Sequence, residues 1–164
     1  MHDNSYFEVE DLIVCQKLCD LHVDVWEHSK SWPRTERFEL TSQALRSSNS
    51  SPARLADKND DRHLKKKIEG VNRARTEAGE TIGHLYIAHR KRYLDQSAYD
   101  TFREKHKECI PMLNGLEKSL EKHLPSGEQR WVHEPEPVYS VKTLSGHPVS
   151  EHFQTRKSDG IAET

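Results

Sequence analysis

Residues 96–124 read QSAYDTFREKHKECIPMLNGLEKSLEKHL, and this stretch decides the architecture. Tyr99, Phe102, His106, Cys109, Leu113, Leu116, Leu120 and His123 or Leu124 recur at alternating steps of three and four. That spacing places them on one stripe of an α-helix. Sustained over the whole stretch, it is a coiled-coil-like seam that must be buried against other helices. Pro111 interrupts the pattern and predicts a slight bend. Pro125-Ser126-Gly127 ends it.

Three earlier segments supply the partners. Val14, Leu18, Leu21, Val25 and Ser29 form a stripe that predicts a first helix over Val9 to Lys30. Trp32 and Pro33 close it, because proline disfavours helix at the residue before it. A second helix is expected from Thr35 or Glu36 to Lys58, with Thr35 as N-cap and Phe38, Leu45, Leu55 and Ala56 as its apolar residues. Its middle, Ser47-Ser48-Asn49-Ser50-Ser51-Pro52, is built of poor helix formers and predicts a kink or break. Asn59, Asp60 and Asp61 should turn the chain, with an aspartate capping a third helix over Asp61 to Tyr93. That helix carries Ile68, Val71, Ala74, Ala78, Ile82, Leu85 and His89 on its stripe, and small residues in its middle let a neighbour approach closely.

Four amphipathic helices joined by short loops fold back as antiparallel neighbours. The expected fold is therefore all-α: an antiparallel up-down four-helix bundle over residues 9–124. Residues 1–8 are an N-terminal extension, and 125–164 a flexible, disordered C-terminal tail rich in proline and glycine.

Composition narrows the function. The chain has 25 Lys and Arg against 27 Asp and Glu, with 33% hydrophobic residues. Residues 10–124 hold 21 of those cations and 19 of the acids, so the bundle is faintly basic and its flanks acidic. This is not the strong basicity of a dedicated nucleic-acid-binding domain. No apolar run is long enough to span a bilayer and the first residues are polar and acidic, so membrane and secretory classes are excluded and a cytoplasmic location is expected. Three cysteines, an odd number, read as reduced thiols.

No catalytic constellation can be named: there is no phosphate loop, no nucleophile elbow and no metalloprotease motif. Cys15, Cys19 and His22 share a helical face, but a zinc site normally needs a fourth ligand. No metal, cofactor or enzymatic activity is expected. The basic residues are the functional lead. Arg54, Lys58, Arg62, Lys65, Lys66 and Lys67 flank the second loop, with Arg46, Arg73 and Arg75 in support, and Arg90-Lys91-Arg92 closes the third helix. Clustered cations neutralise phosphates and release counterions, giving salt-sensitive binding. Acids at 57, 60 and 61 interrupt the cluster.

Two stretches resemble a known family. Asp11-Leu12-Ile13-Val14-Cys15-Gln16-Lys17 is similar to the opening of the bacterial four-helix bundle proteins named for the intervening sequences of 23S ribosomal RNA. The likeness strengthens at Trp32-Pro33, Arg37-Phe38-Glu39-Leu40-Thr41-Ser42-Gln43, Arg46, Ser50, Pro52 and Leu55-Ala56-Asp57, and spans about residues 7–124. Cys15 stands where a tryptophan is usual, and Ser47–Ser51 replaces an apolar run. The resemblance implies a non-catalytic bundle that assembles as a homopentamer. A related branch, the accessory proteins of diversity-generating retroelements, assists a reverse transcriptase by binding protein and nucleic acid. Three functions follow as expectations: an oligomer that binds RNA or a ribonucleoprotein, a reverse-transcriptase accessory subunit, or a structural oligomer recruiting a partner through its tail.

Overall fold

The structure is a computed structural model that describes residues 8–59 and 61–129. The disordered tail expected over 125–164 lies outside the described residues from position 130 onward, as do the first seven residues and Asp60. Four helices are present: α1 (Ile13–Ser29), α2 (Leu40–Asn59), α3 (Leu64–Arg90) and α4 (Gln96–Glu121). Each packs on its two neighbours around a ring in chain order, α1 on α2 and α4, and α3 on α2 and α4.

Cross-helix pairs run in opposite order along three of the four interfaces, which fixes the fourth. Ser47 and Ser51 of α2 meet Thr81 and Ala74 of α3. Arg75 and Tyr86 of α3 meet Glu117 and Tyr99 of α4. Lys17 and His28 of α1 meet Glu108 and Phe102 of α4. The bundle is antiparallel, as the short connections require.

The stripe residues expected from α1 are all buried: Val14, Leu18, Leu21, Val25 and Ser29. The apolar core falls into two clusters. One, at the end holding the α1–α2 and α3–α4 connections, contains Leu21, Val25, Trp32, Leu40, Leu85 and Phe102. The other contains Val14, Leu18, Leu55, Val71, Cys109 and Leu113. Between them lies a polar layer. Ser47 and Ser51 fall between Ala44 and Leu55 on α2, and Thr81 falls between Ala78 and Leu85 on α3; all three are buried. His22 and His106 occupy the matching heights on α1 and α4 and are partly buried.

That layer overturns the expected break in α2, which runs without interruption through Pro52. The serines that weaken an isolated helix are satisfied here. Ser47 Oγ donates to Ala44 O at 3.2 Å and accepts from Thr81 Oγ1 at 3.0 Å. Ser51 Oγ donates to Ala74 O at 2.8 Å, and Ser48 Oγ pairs with His22 Nδ1 at 2.8 Å. A buried hydroxyl without a partner costs about 1–3 kcal/mol, and each of these has one. Their small side chains also bring α2 against α3, and that packing outweighs poor helix propensity.

Other boundaries differ from expectation for local reasons. The first helix is split: a 3-10 turn at Val9–Asp11 precedes an extended Leu12, and only then does α1 begin. Thr35 is not a cap. Residues Arg34–Glu36 form a separate 3-10 turn, and α2 starts at Leu40. Phe38, expected among the apolar residues of the second helix, therefore precedes it and is 82% exposed, while Trp32 and Leu40 fill the core. Ala56 is exposed too. Asp61 accepts from the backbone N–H of His63 at 2.8 Å, yet α3 begins only at Leu64. At its other end α3 stops at Arg90, where Arg92 takes φ +63° and Tyr93 N–H returns to Ala88 O at 2.9 Å, a left-handed helix stop. Asp95, read as part of a connection, caps α4 by accepting from Ala98 N–H at 2.7 Å.

No described helix is long and apolar enough to cross a membrane.

Candidate nucleic-acid interface

The nine basic residues singled out in the sequence do not form one patch. Most of them sit beside carboxylates. Lys65 pairs with Glu128 at 2.9 Å, Lys66 with Glu69 at 3.3 Å, and Arg73 with Glu69 at 2.7 Å. Lys58 lies 3.3 Å from Asp57, and Arg54 lies 3.7 Å from Glu77. Arg46 donates to Gln43 Oε1 at 2.6 Å, twelve positions up α2 from Lys58 and about 18 Å along the axis. Among the described residues no carboxylate pairs with Arg62 or Lys67.

Arg75 has a different environment. Its Nη1 donates to Glu117 Oε2 and Asn114 Oδ1, each at 2.7 Å, and its Nη2 reaches Asn72 Oδ1. Asn72 Nδ2 completes the set by donating to Glu117 Oε1 at 2.7 Å. Glu117 is only 2% exposed, so this network pins α3 to α4. Lys65, Arg73 and Arg75 do share the wall of a cavity of about 550 Å³, but Glu69, Glu121 and Glu128 line it as well. Its charges balance, which gives a phosphate little net attraction.

The opposite end of the bundle holds Arg90-Lys91-Arg92, noted in the sequence at the close of the third helix, together with Arg34 and Arg37, which were not singled out. There the α1–α2 and α3–α4 connections lie side by side, joined through buried Glu36. Its Oε1 accepts from Lys91 Nζ at 2.5 Å and from the Tyr93 hydroxyl at 2.9 Å. The Lys91 bond, seconded by Tyr93, holds the Glu36 carboxyl below its ordinary range and raises Lys91. Arg34, Arg37, Arg90 and Arg92 lie in or next to the same two connections, and no described carboxylate pairs with any of them. An open groove of about 650 Å³ runs beside the α1–α2 connection. Lys30, Arg34 and Arg37 are its charged lining residues, with no acid, and Trp26, Trp32 and Phe38 are its aromatic ones. Lys30 Nζ stands 3.4 Å from the Trp26 ring centroid, and the Arg37 guanidinium 5.7 Å from that of Phe38. The signal for this site was present in the sequence as aromatics interspersed with cations over Trp26 to Phe38, but Trp32 read as the close of the first helix and Phe38 as an apolar residue of the second.

Cys15 and Cys19 come together on their helical face, within side-chain hydrogen-bonding reach, but they and His22 sit in different surroundings. Cys15 is buried, Cys19 is exposed, and His22 is engaged with Ser48. Among the described residues no group of three or more His, Cys, Asp or Glu could hold a metal ion.

A search of curated proteins found no match. A family model does match, described as 23S rRNA-intervening sequence protein, over residues 10–115, which covers all of α1 to α3 and most of α4. With nearly two thirds of its length inside that match and its four helices in place, the chain belongs to the 23S rRNA-intervening sequence protein family.

Proposed function

We propose that this protein is a non-enzymatic, homo-oligomeric bundle that binds RNA or a ribonucleoprotein. The observation that carries the reading is the set of arginines at one end of the bundle, Arg34, Arg37, Arg90 and Arg92, without carboxylate partners among the described residues. An unpaired guanidinium can take a phosphate without first giving up an ion pair. The cations of the second loop, Arg54, Lys58, Arg62, Lys65, Lys66 and Lys67, with Arg46, Arg73 and Arg75, would add a weaker, largely neutralised field. Repeating a modest patch around an oligomer, five copies in the form the family resemblance implies, raises its effect through avidity.

Fluorescence anisotropy with a labelled RNA at about 50 and about 200 mM salt tests this, alongside light scattering for the oligomer mass. Affinity should fall steeply between the two salts. Replacing Arg34, Arg37, Arg90 and Arg92 by alanine should flatten that slope more than replacing Lys65, Lys66 and Arg73. Absence of RNA binding at the lower salt would remove the proposal.

A further inference from the structure

We propose that the groove beside the α1–α2 connection is a stacking site for unpaired bases of single-stranded RNA, with Phe38 and Trp26 as the platforms. This rests on the RNA-binding reading above and names where and how the contact is made.

Phe38 is 82% exposed and Trp26 46%, and neither is needed to fill the core, which Trp32 and Leu40 already close. Large exposed aromatics of this kind mark contact surfaces. What could cover them is narrowed by charge. The groove's charged lining residues are Lys30, Arg34 and Arg37, without an acid among them. Among the described residues only Lys30 of these three has an ion-pair partner, Glu27 at 2.8 Å, and that pair is exposed. A polyanion carrying flat apolar rings meets both demands at once. Bases stack on Phe38, and on Trp26 as Lys30, 3.4 Å over that ring, moves off to a phosphate, while the other phosphates reach Arg34 and Arg37. This combination of a basic track with aromatic faces is how proteins hold single strands with little regard to sequence. A duplex keeps its bases stacked on one another and could use only the arginines. The mixed-charge cavity between α3 and α4 offers neither exposed aromatic rings nor a net positive field.

The experiment compares a labelled single-stranded oligoadenylate with a duplex RNA of equal length, by anisotropy at low salt. The proteins are the full chain, Phe38→Ala, Trp26→Ala and Phe38→Tyr, with circular dichroism and light scattering on each. Phe38→Ala should weaken single-strand binding about tenfold and leave duplex binding unchanged. Trp26→Ala should act in the same direction, and Phe38→Tyr should restore binding, because a phenol stacks as a phenyl does. Wild-type protein that binds RNA while Phe38→Ala binds single strands equally well overturns the groove and leaves the RNA-binding reading standing. Wild-type protein that binds neither RNA overturns both. A variant that loses oligomer mass, with single-strand and duplex binding falling together, identifies the face as a subunit contact and also overturns the stacking site.

Discussion

Ser51 of α2 donates its hydroxyl to the backbone carbonyl of Ala74 on α3 at 2.8 Å, which brings the two helix backbones within side-chain reach of a single Oγ. One turn further along the same seam, a Cβ built on Gly70 would stand 2.7 Å from Lys58 Cβ and 2.9 Å from the Arg54 carbonyl oxygen. The closeness of this interface is what requires a serine at 51 and a glycine at 70.

Gly70→Ala should therefore destabilise the bundle, although alanine is the better helix former. Propensity offers about 1 kcal/mol. Overpacking against a fixed carbonyl costs about 1–3 kcal/mol, and a carbonyl held in a helix cannot swing away. The same change at Gly79 or Gly83, where a Cβ meets nothing within 4 Å, should stabilise by up to about 1 kcal/mol each. Thermal midpoints of the three variants check the sign. A stabilised Gly70→Ala would mean the seam is looser than the structure shows.

Glu117→Ala should cost about 2–3 kcal/mol. It removes the buried acceptor of both Arg75 and Asn72, and an isolated guanidinium at this interface is poorly solvated. Replacing Arg75 and Glu117 together by methionine should recover much of that loss, since two apolar groups need no partner. Urea unfolding of the single and double variants measures the difference. Equal losses in both would show that packing, not the ion pair, sets the value.

Stability should fall on mild acidification. Burial lowers the His22 and His106 imidazoles below their ordinary value of 6.5, and buried His106 Nε2 has no hydrogen-bond partner among the described residues. The unfolded chain then takes up protons before the folded one does. The contribution of these groups is complete above about pH 6.5 and is lost as pH falls toward the folded-state values. Unfolding midpoints at about pH 7.5 and about pH 5.5 should differ, and His106→Leu should narrow the gap. An unchanged gap would place the acid sensitivity elsewhere.

The three thiols should separate cleanly by reactivity. Burial pushes Cys15 up to about 11 and raises Cys109, whereas Cys19 is exposed. Thiolate is the attacking species, so a thiol-specific disulfide reagent should label Cys19 first and the other two only on unfolding. A Cys19→Ser variant should lack the fast phase. Fast labelling of Cys15 in the folded protein would contradict its placement.

The seam of Tyr99, Phe102, Cys109 and Leu113, and its counterpart Val14 to Val25, were legible in the sequence because period and burial coincide on an amphipathic helix. That coincidence determined four helices, their order and their antiparallel sense. The continuity of α2 through Ser47 to Pro52 was decided only by the tertiary structure. Helix propensity is a local quantity, and the hydroxyl partners at Thr81 and Ala74 lie on another helix. The same holds for the candidate site. Lys65, Lys66 and Arg73 cluster in sequence, but carboxylates from their own turn and from Glu128 meet them once the chain is folded. Arg37 and Arg90 are far apart in the chain and come to one end of the bundle because two connections meet there. A charge is free or neutralised according to its neighbours in space, and those neighbours are set by packing rather than by order along the chain.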